Sequence, residues 1–202
     1  RRFFDEIADT FKKYGQVVPV FNDKHLAYNW KDAKHMYDRA RTMKIPFMAG
    51  SSLPVAWRLP AEVLPIGTEI EEAIGIGYGG LESYGFHALE TFQSVMERRK
   101  GGETGVASMQ AVSGDAIWKA EKEKRWSFDL LVAALRGTGV KMAIDEIREK
   151  LGKGPTIFLI EYRDGRRGAV AMVNGIGHEF GVALKLQGKA KPFVNHYWLQ
   201  DK

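Results

Sequence analysis

"TIFLIEYRDGRRGAVAMVNG", residues 156–175, is two β-patterned runs joined by Asp164-Gly165. Asp-Gly between alternating apolar residues is a strong local hairpin signal, because its backbone reaches the positive φ values a tight turn needs. Two further runs, "EFGVALKLQG" and "KPFVNHYWLQ", follow it. A chain that ends this way is expected to build a largely antiparallel open sheet, one face buried and the other available.

The start is organised differently. Phe3, Phe4, Ile7, Ala8, Phe11 and Tyr14 recur at helical spacing, and Gly15 stops the helix. "VVPVF" (17–21) reads as a short strand. Asn29 caps a second helix, with Asp32 placed to return the hydrogen bond, and Ala33, Met36, Tyr37 and Ala40 face inward while His35 faces solvent. "IPFMAG" (45–50) is a second strand. This α-β-α-β order predicts parallel pairing. "SSLPVAWRLP" (51–60) reads as a proline-punctuated loop, "TEIEEAIGIGYG" as a longer strand, 81–99 as helix and "TGVASMQAV" as strand. Residues 114–151 hold two or three short helices, one of them capped by Ser127 and ended by Gly137. The expected class is α+β: the end of a Rossmann-like parallel unit, then an open sheet with helices on one face.

Gly75, Gly77 and Gly80 form a G-x-G-x-x-G that runs into a helix. In a dinucleotide fingerprint such glycines follow a strand buried on both faces. Here Glu69, Glu71 and Glu72 lie in the leading strand, and a central parallel strand does not readily bury carboxylates. Gly85 then weakens the first turns of the helix that would point at a pyrophosphate. Turn formation and close packing explain these glycines better.

Composition excludes other classes. The 202 residues, 45% of them hydrophobic, can bury a proper core, and the absence of cysteine removes disulfides and thiolate chemistry. The net charge of +5 invites a nucleic-acid reading, but acids interrupt the bases, as in "WKAEKEKRW", so no one-signed footprint forms. No apolar run is long enough to span a bilayer, no signal-peptide pattern is present, and a cytoplasmic location is the expectation. The chain opens on Arg1-Arg2 in mid-pattern, as expected of a piece of a longer protein.

Three stretches resemble the Gfo/Idh/MocA family of NAD(P)-dependent oxidoreductases. "VVPVFNDKHLAYNWKDAKHMYDRARTMKIPFMAG" is similar to the segment where a strand ends in Glu-Lys-Pro before a helix and strand. "GGLESYGFHALETF" is similar to the lead into Asp-x-Gly-x-His. The closing sheet resembles the family's substrate and oligomerisation domain. The resemblance implies that Lys24 and His87 move the proton of a substrate hydroxyl, while Asp23, Lys24 and His25 lie beside a nicotinamide cofactor, NAD or NADP. Most of that cofactor would be held by an upstream domain. Residues 1–21 would then be the last helix and strand of the nucleotide domain, and 22–202 the substrate domain. The departures are Asp23 for glutamate, His25 for proline and Ser83 for aspartate.

The chemistry is coherent: oxidising an alcohol by hydride transfer needs a base for the proton and a cation for the developing alkoxide. Ser83 and Tyr84, beside His87, are candidate contacts to a sugar- or polyol-like small molecule. Trp57 and Arg58 are further candidates, one to cover a sugar face and one to clamp an anion; the other reading of Trp57 is a loop side chain packed on the core. Without an upstream domain the chain is not expected to turn over. Three alternatives stay open. One is a non-catalytic binding or assembly module, favoured by Ser83 and His25. Another is a metal-dependent lyase or isomerase using His87 and Glu90, although no second paired motif supports a metal site. Last, His178 reaches the site or is an ordinary surface histidine. An uncovered sheet face would also favour a homo-oligomer.

Overall fold

A computed structural model describes residues 1–199, so Gln200, at the end of the last expected strand, lies outside the described residues. The chain forms two compact units, Arg1–Ser51 and Ser52–Lys202. The boundary expected after residue 21 falls inside the first unit, within a strand.

In the first unit, α1 (Arg2–Tyr14) leads to β1 (Val20–Asp23), and α2 (Trp30–Thr42) to β2 (Phe47–Gly50). The strands pair in parallel, Val20 with Phe47 through Asp23 with Gly50. Residues 17–19 stay outside the strand. Asn29 caps α2 by accepting from the Asp32 amide, as its position predicts. Phe4, Ala8, Met36, Ala40 and Ile45 form the core. Tyr37, expected to face inward, is exposed, as are Phe3, Ile7 and Tyr14 of the apolar stripe on α1.

His35 does not simply face water: its ring lies 2.8 Å from Asp5 on α1, and Arg39 donates to the same carboxylate at 2.6 Å. These contacts, His35 first and then Arg39, hold Asp5 well below the ordinary carboxylate range. A depressed pKa contributes stability above the unfolded-state value that is lost as pH falls through the folded one. Asp5→Asn is therefore expected to lower the stability of this unit at neutral pH and flatten its acid limb. Thermal melts between about pH 2 and 6 read both effects.

The second unit is one seven-stranded sheet in the order β3-β9-β8-β4-β7-β6-β5. Its strands are β3 (Trp57–Leu59), β4 (Ile70–Gly77), β5 (Val106–Ser113), β6 (Thr156–Tyr162), β7 (Arg167–Met172), β8 (Phe180–Leu186) and β9 (Phe193–Trp198). The Asp164-Gly165 hairpin joins β6 to β7, with Gly165 at φ 79°. β4 runs parallel to β7 and antiparallel to β8; every other pairing is antiparallel. "SSLPVAWRLP" is not wholly loop, because Trp57–Leu59 adds an edge strand to β9.

α3 (Phe86–Met96) follows β4, and α4 (Asp115–Lys122), α5 (Phe128–Gly137) and α6 (Ile144–Leu151) lie between β5 and β6. The class is α+β, as expected, with more helical cover than expected. Alternate residues of β7 divide between two cores: Ala169 and Ala171 pack with α4–α6, Val170 and Met172 with α3. Helices thus lie against both faces, because β4 and β7 are apolar on both. The exposed strands are the two edges, β3 and β5, and in β5 only Val112 is buried.

The glycines of β4 are strand residues, not a loop. A Cβ on Gly77 would sit 2.6 Å from the Ala88 Cβ, and one on Gly75 3.0 Å from the Phe92 Cβ. Gly168 on β7 leaves room for the same Phe92 ring. Hydrogen side chains let α3 settle on the sheet and bury Phe92 completely, a burial worth about 1.5–3 kcal/mol. The carboxylates meet no core either: Glu71 and Glu72 are exposed at the amino end of β4, beside a register shift. Gly77→Ala is expected to cost about 1–3 kcal/mol in denaturant melts by overpacking this contact.

Candidate functional site

At its carboxyl end β4 passes into Tyr78-Gly79-Gly80. Gly79 takes φ 87°, and the Tyr84 ring folds so close over it that a Cβ there would lie 2.8 Å from Cγ. Asn174, in the loop after β7, brackets this turn. Its Oδ1 accepts from the Gly79 amide at 2.6 Å, and its Nδ2 donates to the Gly79 carbonyl at 2.9 Å. The expected helix start is a π-helical turn, Leu81–Gly85, with the Tyr84 amide donating to the Gly80 carbonyl at 2.7 Å. Such turns occur often at functional sites because they re-aim side chains. Here the turn sets His87 in the first turn of α3, half-buried.

Aromatic rings surround it. Tyr84 lies 5.9 Å from the His87 ring and stacks on Phe180 at 6.2 Å. Tyr78 lies 5.5 Å from Tyr84 and 5.2 Å from Phe180. His178, from the loop between β7 and β8, meets Tyr78 edge-on at 6.0 Å. It is exposed, yet belongs to this cluster. Glu179 reaches His196 of β9 at 3.2 Å and anchors the same loop. Two imidazoles and two phenols thus gather where the parallel strands β4 and β7 end, the side of an α/β sheet that usually takes ligands. The arrangement offers proton donors and acceptors beside flat, partly exposed ring faces.

The other expected site residues fall in different settings. Ser83 turns its hydroxyl onto the Gly80 carbonyl at 3.4 Å, so it bonds its own turn rather than orienting His87. Trp57 and Arg58 sit on an edge strand, not in a loop after a parallel strand. Arg58 donates to the Pro54 carbonyl at 2.6 Å and lies 5.3 Å from the Tyr197 ring, and Trp57 packs edge-on with Trp198 at 6.5 Å. Register places Trp57 at the same end of the sheet as Tyr78, through Trp198 and Phe180. His87 and Glu90 belong to no group of three or more metal-ligating side chains among the described residues.

Asp23, Lys24 and His25 are in the first unit and exposed. Lys24 closes β1 with φ 72°, its amide donating to the Gly50 carbonyl at 3.0 Å, and the Asn22 amide group donates to the His25 carbonyl at 3.0 Å. A left-handed lysine is uncommon and costs about 1–2 kcal/mol, so its position is imposed by the turn. Sequence reasoning missed Tyr78 and Asn174. The only signal for them was adjacency to glycine, and their convergence is a matter of topology.

Neither a protein-family model nor a curated protein matches this chain. Among solved structures, GenD2 from gentamicin A biosynthesis, in complex with NAD, is similar in fold, with a TM-score of 0.53 and 14% identity. That match covers 98% of this chain and 52% of GenD2. An inositol dehydrogenase homolog from Azotobacter vinelandii, complexed with NADH and myo-inositol, matches with a TM-score of 0.42 and 14% identity over 98% of this chain and 54% of that one. The chain thus spans about half the length of either structure. Among the described residues, no helix is long and apolar enough to cross a membrane.

Proposed function

We propose that this chain is the substrate-binding part of a Gfo/Idh/MocA-like NAD(P)-dependent oxidoreductase acting on a sugar, polyol or similar hydroxy compound. The observation that carries the reading is His87, aimed by a π-helical turn into a recess of Tyr78, Tyr84 and His178 where β4 and β7 end. Amphipathic tyrosine rings suit the alternating C–H and O–H surface of a polyol. His87 takes the hydroxyl proton. Exposed at the end of a parallel strand, Lys24 and His25 fit contacts to the polar edge of a nicotinamide. The nicotinamide ring supplies the hydride acceptor when bound. Gly75 and Gly77 do not fit a pyrophosphate, since α3 fills the space beside them. The resemblance assigns most of the hold on the cofactor to a separate nucleotide-binding domain.

Calorimetric titration of NAD and NADP tests this on the chain alone and joined to an upstream nucleotide-binding domain. Binding by the longer protein only supports the proposal. Binding by this chain alone sinks the assignment of the cofactor to an upstream domain. No binding by either favours the second reading, a non-catalytic module of the same fold. That reading draws support from Ser83, whose hydroxyl is spent on its own turn. A homo-oligomer through the sheet remains part of the proposal, with exposed β5 as its natural edge.

A further inference from the structure

The amino end of β4 carries a second concavity, independent of the function proposed above. The α4–α5 loop and the β6–β7 hairpin enclose a cavity of about 280 Å³. Lys124, Arg125, Arg166, Arg167 and Glu72 line it, over Trp126. Tyr78 lies six positions beyond Glu72 along and just past β4, roughly 20 Å at strand rise, so this cavity and the His87 recess lie at opposite ends of the sheet.

Most charges here are already matched. Arg166 donates to the Ile70 carbonyl at 3.2 Å and lies 3.7 Å from Glu69; Arg167 lies 3.4 Å from Glu161; Glu71, also in the lining, meets Lys185 at 3.0 Å. Arg125 spends one nitrogen on neutral Gln110, at 2.9 Å. The Lys124 side chain makes no hydrogen bond or ion pair among the described residues. Glu72 makes none either, and acts on Lys185 only at longer range. What is unmatched in the lining is two cations and one carboxylate.

The backbone holds Lys124 there against its preference. It ends α4 at φ 55°, with its own amide on the Glu121 carbonyl and that of Arg125 on the Ala120 carbonyl, both at 2.9 Å. This is the helix-ending position that glycine usually occupies. Lys24 and Lys44 share this conformation, so the backbone fixes only where Lys124 stands; it is the unpaired ammonium beside Arg125 on the rim of a cavity that suits a ligand.

We infer that this cavity binds a small hydroxylated phosphate monoester. The dianion meets Lys124 and the free edge of Arg125, and a hydroxyl donates to Glu72. Two cations balance a phosphate dianion, and the volume suits a molecule of a few carbons.

Lys124→Gly separates binding from folding, because glycine relaxes the left-handed backbone while removing the charge. Titrating the wild-type chain with glycerol 3-phosphate is expected to give saturable binding in the millimolar range or tighter. In Lys124→Gly it is expected to weaken about tenfold or more, with the ligand-free melting temperature unchanged or raised. Glu72→Gln is expected to weaken glycerol 3-phosphate more than inorganic phosphate. No saturation in the wild-type chain, or equal affinity in Lys124→Gly, overturns the site. Equal effects of Glu72→Gln on the two ligands overturn the hydroxyl contact.

Discussion

Replacing His87 with alanine in a protein that carries this segment behind a nicotinamide-binding domain is expected to lower kcat by about 10²–10⁴-fold, the range for losing a general base. Substrate affinity should change much less, because Tyr78, Tyr84 and the Asn174 bracket stay in place. The ring is half-buried against Tyr84 and Phe86, and the hydrogen bond from Thr91 goes to the His87 backbone carbonyl, so truncation leaves α3 formed. His87→Gln keeps a hydrogen-bonding group without the base, and should be as slow as alanine. Steady-state oxidation of a polyol across pH is the readout. Normal turnover in both His87 variants would remove the proton-transfer role and leave the recess as a binding surface.

The largest expected effect on stability belongs to Arg99. Its side chain is 1% exposed, at the end of the turn that follows α3. Nε donates to Asp164 at 2.8 Å, Nη1 to the Met96 carbonyl at 2.8 Å and Nη2 to Thr104 at 2.9 Å, while the guanidinium lies 4.4 Å from the Tyr162 ring. One residue thereby ties α3 to the β6–β7 hairpin and to the lead into β5. Arg99→Met keeps the volume and strands every partner, at an expected cost of about 3–5 kcal/mol in denaturant melts. Arg99→Lys keeps the charge but not the planar fork, and should fall between. A pH series adds a sign test. Burial pushes the Asp164 pKa up, but the Arg99 and Arg166 bonds outweigh it and the value lies below the ordinary one. In the wild type Asp164 therefore adds stability above the ordinary carboxylate pKa, lost on acidification. With Arg99 gone, burial is opposed only by the backbone bonds that remain, such as that from Arg166, so the stability lost on acidification is expected to shrink.

Local signals fixed much of this fold. Asp164-Gly165 specified a hairpin because glycine supplies the positive φ that closes the short loop Arg163-Asp164-Gly165, and Asn29 and Ser127 cap helices as their side chains dictate. The β4 glycines were legible as packing residues because acids flank them. By contrast Trp57 and Arg58 read as loop: a three-residue edge strand exists only because β9 offers it backbone partners.

His87 and Tyr84 could be singled out from the sequence because they sit next to each other in one resembling stretch. Tyr78 and Asn174 could not, and for His178 the sequence left two readings open, since Asn174 and His178 lie roughly a hundred positions away and arrive only when β7 pairs in parallel with β4. Alternation along β7 said nothing about which helix would cover which face. Nor did it show that Lys124 would stand unpaired above a cavity. The sequence by itself determined turns, caps and strand periodicity, because these depend on residues within a few positions of one another. Only the tertiary structure decided strand order, the cover of both sheet faces and the company of His87, because those depend on which distant backbones exchange hydrogen bonds.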